Sequence, residues 1–143
     1  MHIIVCVKQI LDPEIPPARF NIDTEKMKVI PPDGVPPVIN PFDEQAMEAA
    51  LRIKDAKRDT RITALSLGDS HSRDILKHCL SMGADEAILL EDSVFSTCDC
   101  AGLAYALSMA TRKMSPFDLI LCGRQAADWD ESQTGAFIAE NLG

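Results

Sequence analysis

Residues 122–135 read CGRQAADWDESQTG, crowding Asp128, Asp130 and Glu131 between Arg124 and the hydroxyls of Ser132 and Thr134. The stretch leaves an apolar run, FDLIL, and enters a helical pattern, AFIAENL. A strand emptying into a helix presents backbone N–H groups with no partner inside the helix, and such groups bind phosphate. The carboxylates oppose an anion by repulsion, so the residue types support two readings. In one, Asp130 caps the last helix and Gln133 completes a capping box. The acids then simply complement the positive helix end, worth ~0.3–1 kcal/mol each. In the other, amides at 132–135 meet the phosphate of a nucleotide, and Arg124 supplies the compensating charge. There Gly135 keeps the turn open to close approach, and the acids face ribose hydroxyls, an adenine amino group or solvent. The residues alone leave both open.

NPFD at 40–43 carries the same ambiguity: a well-capped helix start, or a second set of free amides at the same rim. Neither GxGxxG nor the P-loop GxxxxGK[ST] occurs, and no GxSxG elbow is present. His2, His71 and His78 stand apart, and His78 reads as a packing or surface residue. Five cysteines make an odd set. Cys6 and Cys122 lie in strand-like apolar runs and Cys79 in a helix, where a thiol behaves as a small hydrophobe. Only Cys98 and Cys100 are close in sequence, with no further ligand at metal spacing, so unpaired thiols and no metal site are expected.

These residues need a scaffold. A chain of 143 residues with 46% hydrophobic content suits a single domain, one burying roughly 68–70% of its extended-chain surface. Fourteen basic residues against 22 acidic give a formal net charge of -8, which argues against nucleic-acid or anionic-membrane binding. The opening MHIIVCVKQI has no basic leader, and no apolar run approaches the ~20 residues of a membrane span. A soluble, cytoplasmic protein with reduced thiols is expected.

Apolar runs alternate with helical patterns along the chain. HIIVCVKQI (2–10) reads as one buried strand, followed by the proline-rich LDPEIPPA. RFNID and KMKVIP flank a turn near Thr24 and Glu25, a small hairpin, before PPDGVPP. Residues 40–58 form the clearest helix, with Asn40 as N-cap, Pro41 first, Asp43 in the first turn, and a stripe of Phe42, Ala46, Ala49, Ala50 and Ile53. Strands follow at 61–69, 86–92 and 117–123, and helices at 72–83, 100–114 and from about 132. Ile75, Leu76, Cys79 and Leu80 make the apolar side of the second helix, and Gly83 ends it in a left-handed turn. Strands separated by single helices predict an α/β fold, a mainly parallel sheet with helices on both faces. Its ligand would sit beyond the carboxyl ends of the strands, where strand order reverses.

The ordered blocks VCVKQILD, VINPFDEQAMEAALRIKD, ALSLG, LSMGADEAILLED and DLILCGRQAADWDESQTG resemble the beta subunit of electron transfer flavoproteins. NPFDE, MGAD and GRQA-x-D-x-D-x-x-Q carry the likeness jointly through the whole chain. The resemblance implies an adenine-nucleotide-binding fold of the universal-stress type and a heterodimer with an alpha subunit. It implies that FAD lies mainly on that alpha subunit and accepts electrons from flavin dehydrogenases such as an acyl-CoA dehydrogenase. The beta subunit would hold AMP or, in electron-bifurcating members, a second FAD. QTG at 133–135 is more similar to AMP-holding members, whereas bifurcating ones more often read QVG. By position, the implied nucleotide contacts are Cys6, Asn40, Pro41, Phe42, Asp43 and Leu67. They continue through Gly123, Arg124, Gln125, Ala126, Ala127, Asp128, Trp129, Asp130, Glu131, Ser132, Gln133 and Thr134. No catalytic residue is implied for an electron carrier. Three departures stand out. Family beta subunits run considerably longer, so the resemblance places this chain in their N-terminal portion, without the C-terminal region. STCDCAGLAYA replaces the usual Asp-Thr before a helix, and Trp129 stands where many members have a smaller or acidic residue. A free-standing universal-stress-type nucleotide-binding domain is the competing expectation.

Overall fold

The computed structural model describes residues 1–25, 28–30 and 32–143. In chain order its strands and α-helices are β1 (His2–Cys6), β2 (Gln9–Ile10), β3 (Asn21–Asp23), β4 (Lys28–Ile30), β5 (Val38–Ile39), α1 (Pro41–Ala56), β6 (Arg61–Gly68), α2 (Arg73–Met82), β7 (Glu86–Glu91), α3 (Cys100–Lys113), β8 (Leu119–Cys122) and α4 (Thr134–Leu142). Four strands form one sheet in the order β7–β6–β1–β8, with every pairing parallel. This is the expected α/β arrangement, and its cause is visible in β1. Ile3 and Val5 pack with Ala46, Met47 and Ala50 of α1 and with Ile75, Leu76 and Cys79 of α2. Ile4 and Cys6 face the other way, onto Ala104 and Leu107 of α3 and Ile138 of α4. Alternate side chains thus enter opposite helical layers, and so the strand reads as continuously apolar. Ile3, Ile4, Val5, Ile62 and Leu65 are fully buried, each worth roughly 1.5–3 kcal/mol by transfer from water.

The run at 2–10 is two strands rather than one. Val7 still donates its amide to Leu65 O at 2.9 Å, but Lys8 is captured by the start of α1. Its amide donates to Asp43 Oδ2 at 2.8 Å, and its carbonyl accepts from the Asn40 amide at 2.9 Å. Gln9 and Ile10 then pair antiparallel with Ile39 and Val38. The expected hairpin forms between β3 and β4, with Asn21 opposite Ile30; Lys26, Met27 and Pro31 of that stretch lie outside the described residues.

Helix α1 starts at Pro41 and ends at Ala56, two residues short of expectation, and buries Met47 rather than Ala49 in its stripe. In α2, Leu80 is 43% exposed instead of packed. Gly83 ends that helix at φ 128, donating its amide to Cys79 O and Leu80 O, a positive φ that glycine adopts without a Cβ clash.

Candidate functional site

From β1 the sheet proceeds through β6 and β7 on one side and β8 on the other, so strand order reverses between β1 and β8. Such a reversal opens a crevice beyond the strand ends. A cleft lies there, lined by Cys6, Val7 and Lys8 leaving β1, Leu67 of β6, and Cys122 and Gly123 leaving β8. Leu103 and Leu107 of α3 give it an apolar wall, and Thr134 and Gly135 bring the start of α4 to its edge.

Asp43 ties the crevice together. Its Oδ2 accepts the Lys8 amide at 2.8 Å and its Oδ1 the Gly123 amide at 3.0 Å, joining the ends of β1 and β8 through one carboxyl. Burial pushes the Asp43 carboxyl up to about 6, against the opposing hydrogen bonds from Asn40, Lys8 and Gly123. Gly123 is required by this packing. A Cβ there would stand 2.3 Å from Asp43 Oδ1, 2.7 Å from the Phe42 carbonyl carbon and 2.8 Å from the Asp43 nitrogen. Asn40, 1% exposed, makes no cap to its own helix. Its Nδ2 donates to Gln125 O at 2.8 Å and its Oδ1 accepts the Ala127 amide at 3.2 Å, pinning the loop after β8. Arg124 lies over the Phe42 ring, 5.5 Å from its centroid.

The acids of this loop are largely spoken for. Asp128 pairs with Lys8 Nζ at 2.7 Å and accepts the Trp129 amide at 2.8 Å. Asp130 accepts Gln125 Nε2 at 2.7 Å, while its amide closes a turn onto Ala126 O at 2.9 Å. The capping box, one of the two readings of this stretch, is therefore absent: α4 begins at Thr134, Gln133 sits at its N-cap position without a side-chain bond, and Asp130 is turned back into the loop. Asp130 and Ser132 have φ of 54 and 56, a left-handed conformation costing roughly 1–2 kcal/mol for residues with a Cβ. Strain of this kind persists where surrounding contacts over-determine the backbone, often beside a ligand. The first helical bond of α4 runs from the Phe137 amide to Gln133 O at 3.0 Å. The amides of Thr134, Gly135 and Ala136 precede it, as the orphan donors of a helix start do.

Of the residues named from the sequence, Cys6, Asn40, Asp43 and Leu67 line the cleft, with Gly123, Arg124, Gln125 and Ala126. Asp128, Trp129 and Glu131 line it too, as do Ser132, Gln133 and Thr134. Pro41, Phe42, Ala127 and Asp130 do not. Gly135 lines it as well, and protein packing alone leaves room for a side chain there: an added Cβ would meet Cys122 Cβ at an ordinary 3.6 Å. Among these loop glycines it is Gly123 that the protein's own packing requires.

Sequence reasoning missed the thiol face. Cys6 and Cys122 are register partners on neighbouring strands. The hydrogen bond between them, followed by burial, holds the Cys6 thiol well above its ordinary range. Cys100 reaches the same cleft, its Sγ 3.2 Å from Thr134 Oγ1. Strand register, which composition does not encode, opposes Cys6 to Cys122, and the start of α3 brings Cys100 to the same cleft. All five cysteines are free thiols, and no metal-ligating group of three or more occurs among the described residues.

Fold and cleft together define a doubly wound α/β domain with its crevice at the strand-order reversal. The family model for the electron transfer flavoprotein domain matches residues 28–143, and the chain belongs to that family. The electron transfer flavoprotein subunit beta of Megasphaera elsdenii is 46% identical over 149 residues, covering 100% of this chain and 53% of that protein. The caffeyl-CoA reductase-Etf complex subunit CarD of Acetobacterium woodii is 39% identical, covering 99% and 52%. Protein FixA of Azotobacter vinelandii is 41% identical, covering 99% and 50%. The chain thus spans about half the length of the curated relatives it matches. Among the described residues no helix is long and apolar enough to cross a membrane.

Proposed function

We propose that this chain is the nucleotide-holding portion of an electron transfer flavoprotein beta subunit, with AMP in the cleft between β1 and β8. It works beside an FAD-bearing alpha subunit that carries electrons from flavin dehydrogenases to a downstream acceptor. The observation that carries the reading is the pairing of free α4 amides with two of the three loop acids already engaged. Asp128 is held by Lys8 and Asp130 by Gln125, so the mouth is far less hostile to a phosphate than its sequence suggests. Thr134 and Gly135 amides, the Ser132 and Thr134 hydroxyls and Arg124 are the groups offered to that phosphate. Asn40, Asp43 and Phe42 act one step back, by fixing the loop and Arg124. AMP in this place performs no redox step; it fills the cleft and stabilises the subunit by binding only the folded state.

Heating the purified protein and identifying the released nucleotide tests this directly. AMP in equimolar amount is expected. FAD in its place transfers the cleft to the bifurcating type, and the absence of any nucleotide that binds would sink the reading. Co-purification with a flavin-bearing alpha subunit separates the heterodimer from a free-standing nucleotide-binding domain.

A further inference from the structure

Trp129 is 69% exposed although it is the largest side chain of the cleft. An indole in that position gains little from folding, so core packing does not explain why it is held there. Held it is: its own amide donates to Asp128, Asp128 is gripped by Lys8, and Asp130 is fixed by Gln125 and by the turn onto Ala126. The backbone is anchored on both sides of a residue that lines the cleft. Such an arrangement spares the ordering cost that a mobile aromatic would incur on binding.

We propose that Trp129 is a stacking wall for the flat heteroaromatic ring of the bound nucleotide, and so a residue that selects ring-bearing ligands over ring-free phosphates in this cleft. The proposal rests on the nucleotide-binding reading above and adds a role to it. The phosphate end is served by the α4 amides, and the ring end by the face of the indole together with Leu67, Leu103 and Leu107. Adenine and isoalloxazine share this chemistry, since any base has a π face to offer.

The chain has one tryptophan, so its intrinsic emission reports this ring alone. Nucleotide-free protein is titrated with AMP, FMN and ribose 5-phosphate, by calorimetry for the unaltered chain, W129A and W129F, and by tryptophan fluorescence for the unaltered chain. Stacking predicts that W129A weakens AMP or FMN by roughly 5- to 150-fold. W129F should stay within roughly threefold of the unaltered chain, and ribose 5-phosphate, which has no ring, should bind all three alike. AMP should change the emission and ribose 5-phosphate should not. The proposal is overturned if W129A binds AMP and FMN as tightly as the unaltered chain, whether or not it loses an alpha-subunit partner; that loss would make the indole a protein-docking anchor. It is equally overturned if W129A weakens ribose 5-phosphate as much as AMP, since the residue would then only hold the loop. Should the unaltered chain bind neither AMP nor FMN, the nucleotide reading itself falls and this proposal with it.

Discussion

Asp43 reads in the sequence as an acid in the first turn of a helix, favoured there by the helix dipole. In the fold it is 7% exposed and accepts amides from Lys8 and Gly123, partners distant in the chain and therefore invisible to local patterning. Its carboxyl lies at about 6, raised chiefly by burial. A folded-state value above the unfolded one means that the native state binds the proton more tightly. The associated stability is thus fully present below about pH 4 and lost as pH rises through about 6, on the order of 2 kcal/mol. Denaturation of the unaltered chain and D43N across pH 4–7 should show their stability difference shifting by that amount against the unaltered chain. A difference constant with pH would show that the carboxyl titrates normally. Gly123 was legible as part of a motif, but its steric reason was not. G123A must displace the start of α1 and should lose roughly 1–3 kcal/mol in urea denaturation. G135A, whose Cβ meets only Cys122 at 3.6 Å, should be close to neutral; equal losses in the two would contradict the packing described.

The loop at 123–133 is the element on which the site depends, and Asn40 pins it through Gln125 O and the Ala127 amide. The sequence offered Asn40 as a helix cap because asparagine before proline at a helix start usually serves that end. Tertiary contact took the side chain instead. N40A leaves two loop groups without partners and should lower stability by roughly 1–3 kcal/mol. Amide hydrogen exchange should rise at 125–132 while the sheet stays protected. Exchange rising first within α1 would restore the capping role. The capping box at Asp130 and Gln133 failed for a related reason: Asp130 is at φ 54 and bonds Gln125, so the helix begins later than its polar residues suggest. The element types themselves were legible, since strands buried on both faces and amphipathic helices differ in period. The break after Val7 was not, because it follows from capture of Lys8 by α1.

At the scale of the molecule, the alternation of strands and helices sufficed for a parallel α/β sheet. The order β7–β6–β1–β8 fixes where its crevice opens. Neither the register that opposes Cys6 to Cys122 nor the neutralisation of Asp128 by Lys8 could be read from spacing, and both shape the cleft. In the proposed function this crevice holds an adenine nucleotide with its phosphate at the start of α4. A residue-by-residue NMR titration of the nucleotide-free chain with AMP tests it most directly. Saturable shifts are expected to be largest at the amides of Ser132, Thr134 and Gly135, with smaller ones at Cys6, Val7 and Leu67. Saturable shifts centred elsewhere, or none at these amides, would contradict it.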